Sequence, residues 1–152
     1  MTIHNYTPAL KQPLADLMVA YFPEVNADIP EKIIRGKLSD LIAEQHHQRI
    51  LYAAVAMENE SPIGFSIFQI DTPESDWCKR PGWGFIREFY IAPAYRHRGF
   101  GQLLAQYSED ALRAAGAQNL YLTSAQASPF WVHCGWRETR EICSNELPIL
   151  EK

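Results

Sequence analysis

Cysteine is scarce here: Cys78, Cys134 and Cys143 are the only three in 152 residues. So few, with no CxxC pair, cannot build a disulfide framework, and no His/Cys spacing fits a zinc site. No metal is expected. An excess of positive charge is also missing. The formal net charge of −4 gives no general affinity for nucleic acid or an anionic membrane, so neither is expected as a partner. No run reaches the apolar length of a membrane span. Residues 1–14 lack the basic start and apolar core of a signal peptide, so the expected setting is reduced and cytoplasmic. Repeats, low-complexity tracts and interdomain linkers are absent too, which predicts a single domain over residues 1–152.

What remains is ordinary globular material. Hydrophobic residues make up 47% and charged residues 21%, enough to bury a core at this length. Residues 1–6 alternate weakly, as an edge strand does. Leu10, Leu14, Leu17, Met18 and Tyr21 share a helical face that Pro23 should close. A second helix is predicted from Asp28 as cap, Pro30 in the first turn and Glu31 completing a capping box. Its apolar stripe is Ile29, Ile33, Leu38, Leu41 and Ile42. His46 and His47 end that stripe; two adjacent residues on a helix do not face one metal. Residues 50–57 and 63–70 read as a hairpin around the turn 58–62, and residues 83–91 as the strongest strand. Beyond Arg98 the period becomes helical, with Leu103, Leu104, Tyr107, Ala111 and Ala114 on one face and Gly116 as terminator. Residues 119–123 predict a strand, 129–134 a short helix, and 137–150 further strands. The order predicts an α+β fold, a mixed and mostly antiparallel central sheet flanked by helices.

The chemistry concentrates in residues 88–101, EFYIAPAYRHRGFG. A strand runs into a turn that opens a helix, and the turn holds Arg96, His97, Arg98, Gly99 and Gly101. As structure alone this is a poor choice. Cations at a helix N-terminus oppose the macrodipole by about 0.3–1 kcal/mol each, and a glycine within a helix costs about 1 kcal/mol against alanine. Both make sense around an anion, because glycines let N–H groups approach phosphate oxygens and arginines add charge-assisted bonds. The competing reading is a solvated basic turn. A GxGxxG fingerprint fails at Leu104, and no GK[ST] follows for a Walker loop.

Arg96-His97-Arg98-Gly99-Phe100-Gly101 resembles the R/Q-x-x-G-x-G/A signature of the GNAT superfamily of N-acetyltransferases. Ile91, Pro93 and Tyr95 stand where the longer form of that signature has them. Ala127, Phe130 and Gly135-Trp136 resemble the family's downstream A-x-x-F-Y-x-x-x-G-F segment. The detailed likeness covers roughly residues 83–136.

The resemblance implies the GNAT fold and an acetyl-CoA-dependent N-acetyltransferase without a metal. It assigns the diphosphate of coenzyme A to the backbone of Arg98, Gly99, Phe100 and Gly101, with Arg96 and His97 flanking. It lays the pantetheine arm along the main chain of Phe89, Tyr90 and Ile91, as an added strand. Ser124 falls where many relatives have an asparagine near the pantetheine. Glu88 matches a strand position often acidic in the family and is the candidate base or water relay. The other reading of Glu88 is a glutamate paired with Arg87 or another cation at a sheet rim. On simple alternation Glu88 shares a face with Ile86 and Tyr90, unless a bulge alters the parity.

Trp131 corresponds to the family tyrosine that protonates the leaving thiolate, and an indole N–H cannot supply that proton at neutral pH. Either the thiolate leaves unaided or one of Tyr90, Tyr121, His133 and Cys134 serves. For Cys134 a small buried residue, and for His133 an exposed helix position, are the simpler readings. The acceptor pocket is expected between the first two helices and the loops before the central strand. Tyr21, Phe22, Trp77 and Trp83 can line it, with Asp71, Glu74 and Asp76 attracting a cation; core aromatics and a solvated acidic loop are the simpler reading. The acceptor is a small-molecule amine or a protein amine, and family habit makes a homodimer an expectation. The alternative function is a non-catalytic acyl-CoA sensor or interaction module.

Overall fold

In the computed structural model, residues 1–75, 79–124, 127–143 and 147–152 are described. In chain order they form β1 (Thr2–Asn5), α1 (Lys11–Glu24), α2 (Glu31–Ile33), a π-helical stretch (Ile34–Leu38), α3 (Ser39–His47), β2 (Tyr52–Glu58) and β3 (Ser61–Ile70). Then come β4 (Gly84–Ile91), α4 (Phe100–Ala114), β5 (Leu120–Thr123), α5 (Ser128–His133), β6 (Arg137–Ile142) and β7 (Pro148–Glu151). The sheet is mixed, in the order β1-β2-β3-β4-β5-β7-β6. β4 and β5 pair in parallel, while β1–β2, β5–β7 and β6–β7 are antiparallel. This is the α+β architecture expected.

The chain divides into two compact units, Met1–Ile67 with Glu88–Leu104, and Phe68–Arg87 with Ala105–Lys152. In the first, α1 buries Leu14, Leu17, Met18, Tyr21 and Phe22 against Val55 of β2, Phe65 and Ile67 of β3 and Tyr90 of β4. The helix runs through Pro23 rather than stopping there. A proline so near the end removes a bond from the final turn only. β2 and β3 turn on Asn59 and Glu60 alone, both left-handed at φ 49° and 68°. That is the backbone of a two-residue I′ hairpin, tighter than residues 58–62.

The second helical segment departs from expectation. Asp28 does not cap it; Pro30 holds the cap position with no side-chain bond. Ile34, Ser39 and Ile42 are buried, whereas Ile33 and Leu41 are exposed. The π-helical stretch is the cause. The Ser39 N–H reaches the Ile34 carbonyl five residues back, and the Ser39 hydroxyl donates to the same oxygen at 2.6 Å. One extra residue in the turn shifts the buried stripe by one position.

In the second unit Phe85, Tyr121 and Ile149 form a buried cluster with Trp83 and Cys143 packed against it. Phe85 and Tyr121 stack with ring centroids 4.6 Å apart. The part of α4 in this unit buries Ala105, Ser108, Glu109 and Leu112 rather than the stripe through Tyr107, Ala111 and Ala114. Glu109 can be inside because Trp136 Nε1 donates to it at 2.8 Å and Lys152 Nζ lies 2.9 Å away. Helical periodicity cannot reveal such distant partners. Gly116, at φ 106°, ends the helix as expected.

Candidate active site

Glu88 belongs to the first unit. The Tyr21 hydroxyl, from the buried face of α1, donates a hydrogen bond to Glu88 Oε2. The Tyr21 ring lies 5.6 Å from that of Tyr90, so Glu88 and Tyr90 meet the same helix residue, as alternation on β4 predicts. Burial, and then the neighbouring carboxylate, push the Tyr21 phenol far above its ordinary value. It therefore keeps its proton and acts as a fixed donor. Tyr21, expected on the apolar face of the first helix and as a candidate pocket wall, is the residue whose bond to Glu88 the sequence did not disclose.

β4 approaches its neighbour closely here. A Cβ on Gly64 of β3 would lie 2.5 Å from the Tyr90 carbonyl oxygen and 2.6 Å from Ile91 Cδ1. Only a glycine admits this spacing. On its other edge β4 pairs with β5 from Gly84–Leu120 to Ile86–Leu122. Phe89, Tyr90 and Ile91 lie beyond the last of these pairs.

After β4 the chain makes a short 3₁₀ turn, Pro93–Tyr95, and enters the basic segment. His97 and Gly99 are left-handed, at φ 61° and 84°, on either side of Arg98. α4 then starts at Phe100, so its first amides have no carbonyl upstream to bond within the helix. An alternation of hand followed by a helix start is how backbone forms an anion-binding concavity. The arginines differ. Arg98 is half exposed, with Nη2 3.3 Å from Glu58 Oε1 and its guanidinium 4.7 Å from the Phe100 ring centre. Arg96 is bound to protein acceptors on two sides, the Ile91 carbonyl and Glu24, each at 2.7 Å.

In the second unit Ser124 Oγ accepts the Ala127 N–H at 3.2 Å, and the Ser124 N–H donates to the Pro148 carbonyl at 3.0 Å. Trp131 is buried, with its ring 4.9 Å from Phe130 and 5.5 Å from Trp136. Tyr121 spends its proton on Asp71 Oδ2 and accepts the Lys79 N–H at 3.1 Å, which removes it from the candidate acids. His133 is exposed and Cys134 half-buried; burial, then Glu109, pushes the Cys134 thiol up. Asp71 is 1% exposed and is tied to the Tyr121 hydroxyl. Trp83 packs on the buried cluster, and Glu74 is in solvent. Cys78, Trp77 and Asp76 lie outside the described residues. A cavity of about 310 Å³ is lined by Trp83, Asn119, Gly135, Arg137, Glu151 and Lys152, none of them an expected ligand of the coenzyme.

Among the described residues, no helix is long and apolar enough to cross a membrane, and no group of three or more metal-ligating side chains forms. The sequence model of the acetyltransferase (GNAT) family matches residues 12–136.

The chain belongs to the GNAT acetyltransferase family.

As a GNAT acetyltransferase it has the acetyl-CoA implied by the signature turn as its co-substrate. No curated protein matches the sequence. Solved structures share the fold at low identity. The PaiA N-acetyltransferase from Thermoplasma acidophilum, in complex with coenzyme A, has a TM-score of 0.74 at 18% identity over 100% of this chain and 99% of its own. The aminoglycoside acetyltransferase AAC(6')-Iy, in complex with a bisubstrate analogue, has a TM-score of 0.76 at 17% identity over 93% and 94%. The apo aminoglycoside 6'-N-acetyltransferase AAC(6')-Ig from Acinetobacter haemolyticus has 0.70 at 17% over 94% and 95%.

Proposed function

We propose that the chain works as one domain that transfers acetyl from acetyl-CoA to a primary amine of a small molecule by direct attack. The observation that carries this reading is a glutamate, held by a tyrosine hydroxyl, on the strand that leads into the basic glycine turn. The backbone of Arg98, Gly99, Phe100 and Gly101 holds the diphosphate, with Arg96 and His97 flanking. The main chain of Phe89, Tyr90 and Ile91 pairs with the pantetheine. The amine nitrogen bonds to the acetyl carbonyl carbon while the carbon–sulfur bond breaks. Glu88 takes the amine proton, directly or through one water. A backbone N–H of β4 faces the developing oxyanion. The thiolate leaves unaided, as a thiol of pKa near ~8.5 permits. The aminoglycoside acetyltransferases among the structures of like fold support a small amine over a protein amine.

Thiol release from acetyl-CoA, followed with polyamines, aminoglycosides, amino acids and lysine peptides, tests the proposal. Turnover dependent on a small amine supports it; turnover on peptides alone overturns the acceptor class. Trp131 favours a second reading, an acyl-CoA sensor, because an indole stands where relatives have a proton-donating tyrosine. Tight acetyl-CoA binding without turnover on any acceptor is the outcome that selects it. Sizing the protein at assay concentration checks for a homodimer.

A further inference from the structure

Arg96 opens the signature turn, but its side chain points to a different duty from that of Arg98. Its Nε donates to the Ile91 carbonyl at 2.7 Å and its Nη2 to Glu24 Oε2 at 2.7 Å. Its guanidinium carbon lies 5.6 Å from the Tyr90 ring centre. These partners are the last residue of α1 and the last two of β4. Glu24 is itself out of place by local rules, since a carboxylate in the last turn opposes the helix macrodipole. A fixed cation beside it removes that conflict. The planar guanidinium suits the task, with donors diverging to a carbonyl and a carboxylate at once.

We propose that Arg96 is a positioning residue of the coenzyme turn: it binds Glu24 and the Ile91 carbonyl, sets where the turn leaves β4, and does not ligate phosphate. This rests on the reading that the turn holds the diphosphate. Coenzyme A then senses Arg96 only through the backbone at residues 97–101.

The two roles for Arg96 predict opposite signs for one substitution. Glu24→Gln weakens the anchor, so a positioning arginine predicts weaker coenzyme A binding, by about tenfold for loss of one charge-assisted bond. A phosphate-ligating arginine, released from a competing carboxylate, predicts tighter binding. Coenzyme A titrated calorimetrically into the parent, Glu24→Gln, Arg96→Gln and the double variant reads this directly. Expected are a loss for Glu24→Gln and a loss at least as large for Arg96→Gln, which also gives up the Ile91 carbonyl. Expected too are no loss in the double variant beyond that of Arg96→Gln, and an unchanged salt dependence in the double variant, whose net charge is that of the parent. In turnover, KM for acetyl-CoA rises while kcat stays within about twofold, which general unfolding does not produce. Tighter binding by Glu24→Gln, unchanged affinity in both single variants, or a flattened salt dependence in the double variant overturns the proposal. Gly101→Glu, which puts bulk and negative charge at the diphosphate, is the separate control. If it leaves coenzyme A affinity unchanged, the diphosphate reading falls, and this proposal with it.

Discussion

Tyr21 and Glu88 are 67 residues apart in sequence, yet the tyrosine hydroxyl donates to the Glu88 carboxylate from the buried face of α1. The phenol's pKa is raised, first by burial and then by Glu88. A group raised in the folded state contributes stability that is fully present below its unfolded value, about 10, and is lost as pH climbs above it. The parent protein therefore loses stability above about pH 10, and Tyr21→Phe loses less across the same window. Denaturant unfolding at several alkaline pH values measures the difference between the two slopes. Identical slopes would separate Tyr21 from the alkaline limb.

If Glu88 takes the proton, Glu88→Gln keeps the shape of the site and removes the base. Turnover should then fall by about 10²–10⁴-fold, the usual contribution of general base catalysis, with acetyl-CoA affinity close to that of the parent. Steady-state kinetics beside a direct binding titration separates the two quantities. A parent-like kcat across the pH range removes Glu88 from the mechanism.

Gly64 has no room for a methyl group, because backbone of β4 and the Ile91 side chain occupy it. Gly64→Ala should cost about 1–3 kcal/mol of stability, the range for overpacking. The strain falls on Tyr90 and Ile91, so the variant should also bind coenzyme A more weakly where it remains folded. Chemical denaturation and calorimetric titration check the two effects. A stable variant with parent affinity would mean that β4 yields freely at this point.

Tyr121→Phe preserves the stacking on Phe85 but deprives a buried Asp71 of its hydroxyl donor. Loss of a hydrogen-bond donor to a buried carboxyl predicts about 1–3 kcal/mol of destabilisation. The midpoint of thermal or denaturant unfolding reads it. No change in either midpoint would show that the Lys79 and Gln69 donors, each 3.3 Å from an Asp71 oxygen, suffice alone.

The strands and their order were legible because alternation, turn residues and β-branched runs act locally. The glycine turn was legible for the opposite reason. Arg96, His97, Arg98, Gly99 and Gly101 break local rules for a helix start, and such a breach points to a ligand. What escaped was pairing at a distance. Nothing near Glu88 in sequence announces Tyr21, and nothing near Arg96 announces Glu24. The sequence placed Tyr107, Ala111 and Ala114 on the inward face of α4, and nothing near Glu109 announces Trp136 and Lys152, the partners that let it be buried. Asp71 read as part of an acidic loop, either solvated or facing a cation, whereas it is buried on the Tyr121 hydroxyl. Side chains with polar tips take their roles from whatever the fold brings to them, which composition and periodicity do not encode.

The π-helical stretch Ile34–Leu38 contains one residue more than the buried stripe needs. Ile34, Ser39 and Ile42 are spaced five and three apart. Removal of one residue between the first two would space them four and three, the rhythm of an uninterrupted α-helix. A chain lacking Gly36, whose surroundings are open, would then keep the same inward face on a helix shorter by about 1.5 Å. The stretch has the geometry of one codon's residue inserted into a continuous α-helix. Lineages that gained or lost that codon would differ in the outline of one helical turn and share the interior beneath it.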